Sequence, residues 1–281
     1  MKTYKFARIM IGRLRSAALP SPCRYVRRLT TFDHVAPHVV AVADGVTVMV
    51  RERLARETLG GERGPPTADA AAGGRDLTGV RVWEAAPYLI RHLSRHRERL
   101  LHGRTVIDLG AGTGAVGLAA AAYGARHVVL SDIDSTASMA THQGWEERST
   151  LEALAENVTQ LNRWATDTVS VAELRWGDGE HLAALRKAWP HGFDTVVASD
   201  LLYYPPETYG ALAETIRAVA AAADTSVVLS YRVRHGQEHT FVDLLREGGE
   251  FECTRRGAAD EASLSASSHA TRVVELSRLN T

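Results

Sequence analysis

The sequence contains little cysteine, no excess of either charge and no long apolar run. Only Cys23 and Cys253 occur in 281 residues, too few for a disulfide framework or a cysteine-based metal cluster, so a reducing compartment is the default expectation. Basic and acidic residues number 33 each, so no global attraction to nucleic acid or to a membrane surface is indicated. No apolar stretch is long enough to span a bilayer. A chain of this length, 45% hydrophobic, is long enough for one α/β domain with additions.

Acidic residues are also absent from residues 1–32, whereas arginine and lysine are frequent there. Such a start is typical of a mitochondrial transit peptide, and a basic tail without a targeting role is the alternative. We therefore expect residues 1–32 to form a separate basic tail. The expected location is the cytoplasm, with mitochondria as the alternative that the basic tail favours.

Residues 33–76 are predicted to form an N-terminal extension of the main domain. Alternating valines flank Asp44-Gly45, a dipeptide typical of hairpin turns, so His38–Glu52 should form a β-hairpin outside the main sheet. Gly60–Arg75 is rich in Gly, Pro and Ala and is predicted to be a loop. The helical periodicity of Glu84–Leu101 then predicts a helix that leads into the main sheet.

Residues 77–281 alternate between short apolar runs, typical of strands, and amphipathic segments, typical of helices. This alternation predicts an α/β fold with a Rossmann-like, doubly wound sheet whose ligand crevice lies at the carboxyl ends of the strands. Ser135–Thr150 is polar and is predicted to be an irregular insertion or a broken helix, and Leu151–Leu161 to be a helix. The seven predicted strands are Thr105–Leu109, His127–Ser131, Ser170–Arg175, Phe193–Ala198, Ser226–Ser230, Phe251–Thr254 and Thr271–Leu276.

The first of these strands ends in Asp108, and a glycine-rich turn and an Ala-rich helix follow it. A strand, turn and helix in this order present backbone N–H groups to a nucleotide-like ligand. Gly112–Gly117 fits G-x-G-x-x-G, the fingerprint of dinucleotide sites. Asp108–Gly114 also fits D-x-G-x-G-x-G, the motif of S-adenosylmethionine (SAM) methyltransferases. The glycines alone therefore leave two cofactors open.

Acidic residues at the strand ends distinguish the two cofactors. A nicotinamide site needs its acid at the end of the second strand, but here Asp108, Asp132 and Asp200 follow strands one, two and four. Asp108 suits the α-ammonium of SAM, and Asp132 suits its ribose hydroxyls. Trp176 and Asp178, after strand three, suit its adenine as an aromatic face and as an acceptor for the exocyclic amine. The order of these residues along the chain favours SAM over a nicotinamide cofactor. The alternatives are that Asp108 only caps the following helix and that Trp176 only packs in the core.

Two further motifs carry a resemblance to a known family. They are Trp83-Glu84-Ala85-Ala86, before the sheet, and Asp200-Leu201-Leu202-Tyr203, after strand four. With the glycine turn, they make the chain resemble the class I methyltransferases of the seven-strand protein-lysine group, methyltransferase family 16, over about residues 77–245. Glu84 departs mildly from the family, in which many members have Asp at this position.

The resemblance implies a seven-stranded sheet with its last strand antiparallel and S-adenosyl-L-methionine as the cofactor. It implies that Asp200 and Tyr203 lie beside the transferred methyl group as the catalytic residues. The expected partner is a protein that carries the acceptor lysine; no nucleic acid, membrane or metal is expected, and the chain should be a monomer. The residues expected to bind the cofactor are Trp83, Asp108, Gly110, Ala111, Gly112, Asp132, Trp176, Asp178 and Ser199.

Two other functions stay open at this point. The first is a methyltransferase that acts on RNA or on a small-molecule amine. Base N-methyltransferases often carry Asn/Asp-Pro-Pro-Tyr/Phe after strand four, whereas here Pro205-Pro206 follow the Asp200–Tyr203 tetrad. The second is a SAM-binding interaction module without catalysis. The sequence also leaves the protein substrate open, because features of an elongation-factor-2 branch and of a mitochondrial flavoprotein-modifying branch both occur.

Overall fold

A computed structural model describes residues 37–43, 46–52, 81–141, 144–203, 206–222, 224–234, 236–258 and 270–279. The predicted basic tail of residues 1–32 and the predicted loop Gly60–Arg75 lie outside the described residues, as do Asp44-Gly45 of the predicted hairpin turn. The boundaries between tail, extension and main domain therefore stay predictions.

The described elements alternate between strands and helices over most of the chain. The strands are β1 Pro37–Ala43, β2 Val46–Arg51, β3 Thr105–Leu109, β4 His127–Asp132, β5 Thr136–Thr141, β6 Gly144–Ser149, β7 Val169–Glu173, β8 Thr195–Ser199, β9 Ser226–Arg232, β10 Phe251–Ala258 and β11 Thr271–Arg278. The α-helices are α1 Ala86–Arg95, α2 Arg97–Leu100, α3 Ala115–Ala122, α4 Thr150–Glu156, α5 Gly179–Ala188, α6 Tyr209–Val219 and α7 His239–Arg246. Short turns complete them: a π-helical turn at Asn157–Leu161 and 3₁₀ turns at Arg163–Ala165 and Pro206–Thr208.

Seven strands form the main sheet in the order β10-β11-β9-β8-β3-β4-β7. Strands β9, β8, β3, β4 and β7 are parallel, and β11 is antiparallel to both of its neighbours. The predicted doubly wound sheet with an antiparallel last strand is thus confirmed. The chain order reverses between β3 and β8, and ligands bind at such a point, outside the carboxyl ends of the strands.

Helices cover both faces of the sheet because its central strands are apolar on both sides. On one face, α1 buries Leu89, Ile90 and Leu93 and packs against α3. On the other face, α6 and α7 meet through the rings of Tyr209 and Phe241, whose centroids lie 5.4 Å apart. A separate cluster of buried apolar side chains lies on each face of the sheet.

Strands β1 and β2 form the predicted hairpin outside the main sheet, and two asparagines join it to the core. The amide of Asn162 accepts the N–H of Met49 at 2.9 Å and donates to the carbonyl of Met49 at 2.6 Å. Asn157 accepts the N–H of Arg51 at 3.0 Å and donates to the carbonyl of Thr113 at 2.9 Å. The hairpin is therefore connected through Asn157 to the glycine turn.

The prediction of an irregular insertion or broken helix at Ser135–Thr150 was wrong. Strands β5 and β6 pair antiparallel there, with Thr136 opposite Ser149 and Thr141 opposite Gly144. The segment has no regular alternation of apolar residues, so the pattern that predicts strands gives no signal. A capping box between Ser149 and Glu152 then begins α4, which passes into the π-helical turn.

Among the described residues, no helix combines the length and the apolar character needed to cross a membrane. In the same ranges, His, Cys, Asp and Glu side chains do not form any group of three or more that could hold a metal ion.

A buried carboxylate ties the last strand to the first two helices. Glu275 of β11 is 3% exposed, and its oxygens lie 3.2 Å from Nε2 of His92 and 2.6 Å from a guanidinium nitrogen of Arg99. Burial alone would raise the pKa of Glu275. The hydrogen bonds with His92 and Arg99 outweigh burial and lower its pKa to about 2.

We expect Glu275→Gln to lower the free energy of unfolding at pH 7 by about 1.5–3 kcal/mol, because a charged hydrogen bond is lost. The folded pKa lies below the ordinary value of 4.5, so the stabilising effect is present above pH 4.5 and is lost as the pH falls toward 2. Urea unfolding at several pH values measures this. The difference between wild type and variant should shrink with acidification, and Glu252→Gln, at an exposed position of β10, should show no such difference.

Candidate functional site

The glycine turn after β3 is held by carboxylates from two neighbouring strands. Asp108 of β3 accepts the N–H of Gly117 at 2.8 Å, and Asp132 of β4 accepts the N–H of Gly112 at 2.7 Å. Gly110 and Gly112 have φ values of +59° and +54°, a region that favours glycine over residues with a Cβ. The turn can therefore take this path only with glycines at these positions.

Gly110 is also where three segments approach one another. A Cβ atom at this position would lie 2.6 Å from a methyl group of Leu201 and 3.5 Å from the indole of Trp176. The turn, the segment after β7 and the segment after β8 thus meet at one point. A side chain at Gly110 would collide with Leu201, and we call this close approach of Gly110, Leu201 and Trp176 the cradle.

Asp108 is 1% exposed and lies beneath the turn. Desolvation by burial, followed by the nearby charge of Asp132, raises the pKa of Asp108 to about 8, although the hydrogen bond from Gly117 opposes this. The contact seen is the helix-capping contact that was the alternative interpretation of the sequence. The predicted contact of Asp108 with the ammonium of the cofactor stays a prediction.

Asp132 is half-buried at the carboxyl end of β4. Its Oδ2 binds the N–H of Gly112, and its Oδ1 accepts the N–H of Ile133 at 2.8 Å. The contact of Asp132 with ribose hydroxyls stays a prediction. Ala111, between the two glycines, donates its N–H to the carbonyl of Ser131 at 2.9 Å and keeps the turn against β4.

The two residues predicted to face adenine behave differently. Trp176 is half-buried, with its ring against the cradle at Gly110. Asp178 caps α5, because its Oδ1 accepts the N–H groups of Glu180 and His181, each at 3.0 Å. The capping contact gives Asp178 a structural role that the sequence interpretation omitted, and its contact with adenine stays a prediction.

Asp200 follows β8 in a left-handed conformation, with φ of +60°. Its side chain is almost fully buried and is bound by Arg234, whose two terminal nitrogens lie 2.7 and 2.9 Å from the two carboxylate oxygens. The N–H of Arg234 donates to Glu238 at 2.6 Å, and the neighbouring Arg232 pairs with Glu84. Asp200 is thus part of a charged network formed after β8 and β9.

The other predicted residues lie near the same edge of the sheet. Ser199, the last residue of β8, accepts a hydrogen bond from the hydroxyl of Ser230 at 3.1 Å. Tyr203 is half-buried three positions after Asp200, and Trp83 is 40% exposed just before α1. Their roles toward cofactor and substrate stay predictions.

Sequence reasoning missed Arg234 and Asn157. Arg234 lies two residues beyond the end of β9, and only the adjacency of β8 and β9 shows that it meets Asp200. The sequence did offer one indication of this contact, because Arg234 is a cationic residue shortly after the predicted central strand Ser226–Ser230. Asn157 lies in a helical segment whose apolar face was recognised but whose amide gave no pattern.

Comparison with known proteins decides the family. Residues 69–248, more than half of the chain, match the family described as lysine methyltransferase. The chain belongs to the lysine methyltransferase family. The family match spans α1 to α7 and includes the cradle, Asp132 and the Asp200 network.

Two curated members of the lysine methyltransferase family illustrate the similarity. Protein N-lysine methyltransferase METTL21A of Danio rerio is 34% identical over 167 residues, which cover 59% of this chain and 66% of that protein. EEF1A lysine methyltransferase 3 of Xenopus tropicalis is 28% identical over 185 residues, which cover 65% of this chain and 71% of that protein.

Solved structures agree on the fold. TYW2 of P. horikoshii, in complex with MeSAdo, superposes with a TM-score of 0.50 at 14% identity and covers 88% of this chain and 73% of that chain. SMU.776, complexed with SAH, gives 0.51 at 11% identity and covers 86% of this chain and 56% of that chain. At such identities the likeness shows the Rossmann-like methyltransferase fold alone.

We expect Gly110→Ala to destabilise the fold and to weaken cofactor binding at least tenfold. The added Cβ would collide with Leu201 and would also force a left-handed conformation on a residue with a side chain. Calorimetric titration with S-adenosylhomocysteine and thermal unfolding measure the two effects. Gly210→Ala is the matched control, since a Cβ there meets no atom within 4 Å and lies in helix α6, and it should leave both values unchanged or raise stability slightly. Equal affinity of both variants would contradict the assignment of the cradle.

Asp108→Asn should make the unfolding free energy of the cofactor-free protein less dependent on pH. The folded pKa of about 8 lies above the ordinary 3.8, so the effect of Asp108 on stability is most favourable below pH 4 and is lost as the pH rises through 8. Asparagine does not titrate, and its carbonyl can still accept the N–H of Gly117. Urea unfolding at pH 5 and pH 8.5 should show the variant gaining relative to wild type at the higher pH. A constant difference would contradict the raised pKa, and Asp167→Asn, at an exposed turn, is the control.

Proposed function

We propose that this chain transfers the methyl group of SAM to the side-chain amine of a lysine in a protein substrate. One observation supports this proposal most strongly. The cradle and the buried Asp200 lie at one edge of the sheet, and the chain belongs to the lysine methyltransferase family. The relatives named above support a protein substrate, since they are named as a protein N-lysine methyltransferase and as a methyltransferase of EEF1A.

The residues at the cradle fit SAM. An edge lined by the glycine turn, the carboxylate of Asp132 and the ring of Trp176 offers a close backbone approach, a carboxylate acceptor and an aromatic face. When bound, SAM would supply an electrophilic methyl group to the acceptor nitrogen, and the electron pair of the broken C–S bond would stay on its sulfur.

The acceptor amine must be neutral to react, and this is the main chemical difficulty. The ordinary pKa of lysine is about 10.4, so only ~0.1% of the amine is neutral near pH 7.4, a deficit of roughly 4 kcal/mol. A carboxylate beside the amine would raise the pKa of the amine further. The protein therefore needs to place the amine without stabilising its protonated form.

Positioning is then the main contribution of the chain. Asp200 and Tyr203 bind and aim the amine, because they follow β8 at the edge where the cradle lies. Little charge develops in this displacement, so an oxyanion-type site has no role in it. The amine proton leaves to water before the transfer.

Protein is favoured over RNA as the acceptor, because the chain is formally neutral and nucleic-acid binding depends on cationic surface. We further propose that the protein is a monomer, that it is located in the cytoplasm, and that residues 77–281 form its methyltransferase domain. The basic residues 1–32 make a mitochondrial location the alternative.

We expect the purified chain to transfer label from tritiated SAM to one or a few proteins of a lysate from which endogenous SAM has been removed. Mass spectrometry of the labelled bands should place the label on the lysine ε-nitrogen. Gly110→Ala, which fills the cradle, should show at least tenfold less label. Label in RNA or in small molecules would favour the alternative acceptors, and label in no fraction would favour a non-catalytic SAM-binding module.

A further inference from the structure

Arg234 occupies both oxygens of the carboxylate that the mechanism places beside the acceptor amine. The two contacts are 2.7 and 2.9 Å long, and the side chain of Asp200 is only 1% exposed. A planar guanidinium matches a carboxylate in this two-point geometry, and such pairs are strong and directional.

Backbone contacts on both sides hold the pair in place. Asp200 donates its N–H to the carbonyl of Ser230 at 2.7 Å, and its Oδ1 receives the N–H of Arg232 at 3.4 Å. Arg234 donates its own N–H to Glu238, which is 1% exposed at the start of α7. The guanidinium is therefore fixed by the ends of two adjacent strands and a helix, and its position does not depend on a flexible surface side chain.

We propose that Arg234 is a positioning residue that neutralises Asp200, so that the acceptor amine can lose its proton while Asp200 still orients it. The inference rests on the proposed lysine methylation and adds the group that controls the charge of the site. An unpaired carboxylate within about 4–6 Å raises the pKa of an amine by roughly 1–3 units. Without Arg234, the neutral fraction of the amine at pH 7.4 would fall about tenfold or more.

The other charged and titratable groups near the pair do not replace Arg234. Glu84 is paired with Arg232, and Glu238 is bound to the backbone of Arg234. Burial and the nearby charge of Glu238 raise the pKa of Tyr209, on α6, to about 12, so this phenol stays neutral in the range where the enzyme is assayed. Arginine stays protonated throughout.

The test compares the pH dependence of methylation in Arg234→Gln and Arg234→Lys, with the lysate protein labelled by wild type as the acceptor and saturating SAM. We expect Arg234→Gln to lower kcat about tenfold at pH 7.4 and to shift the apparent pKa of the rate profile upward by about 1 unit, so that its rate approaches that of wild type only as the pH rises past the shifted apparent pKa. Arg234→Lys keeps the charge and should keep the wild-type apparent pKa, with a lower rate at every pH. The affinity for S-adenosylhomocysteine should change less than twofold in both variants.

The Asp200→Asn variant provides a second test of the role of Arg234. In Asp200→Asn there is no carboxylate to neutralise, so adding Arg234→Gln should produce no further shift of the apparent pKa. Arg246→Gln breaks an exposed pair with Asp243 on α7 and is the control that should behave as wild type. Thermal unfolding of each variant separates misfolding from a change in the pH profile.

Equal losses in Arg234→Gln and Arg234→Lys at every pH, with no shift in the apparent pKa, would overturn the inference and leave Arg234 a purely structural role. A shift of the same size in the Asp200→Asn background would overturn it as well. Absence of any methylated lysate protein with wild type would instead overturn the proposed function. The two failures are therefore distinguishable.

Discussion

The site depends on two carboxylates that neighbouring parallel strands bring beneath one turn. Asp108 and Asp132 each bind a backbone N–H of the glycine segment, and the register of β3 with β4 fixes their separation. Burying Asp108 there is costly, because desolvation and, to a smaller extent, the charge of Asp132 raise its pKa. The turn that results presents its backbone to the crevice, and Leu201, Trp176 and Asn157 all take their positions against it.

A second buried carboxylate, Asp200, follows the neighbouring strand β8. Asp200 is buried, and its backbone has a left-handed conformation that is uncommon for residues with a side chain. Arg234, which follows the adjacent strand β9, pairs with its carboxylate. Glu84 and Arg232 form a second pair beside it. In the proposed reaction, which needs a neutral amine and a cationic methyl donor, the protein contributes by positioning the reactants and by pairing its own buried charges.

Much of this arrangement could be predicted from local patterns. The alternation of apolar runs predicted the sheet. The glycines with Asp108 and Asp132 predicted a turn and two acids at one edge of it, because the carboxyl ends of parallel strands lie at the same edge. The β5–β6 ribbon lacks an apolar pattern, so its pairing was invisible to that reasoning. The contact of Arg234 with Asp200 joins residues 34 positions apart and depends on which strands are neighbours. Capping by Asp178 was missed because the same residue type suits both a helix start and an adenine contact.

The asparagine contacts of the N-terminal hairpin have a consequence for synthesis of the chain. Met49 and Arg51 find their partners 113 and 106 residues later. At elongation rates of 5–20 residues per second, these partners are made roughly 5–20 s after the hairpin itself. During that interval the hairpin lacks the two asparagines that hold it, and an isolated two-stranded hairpin is marginally stable in water. Docking of β1 and β2 is therefore completed only after the glycine turn and α3 have been made.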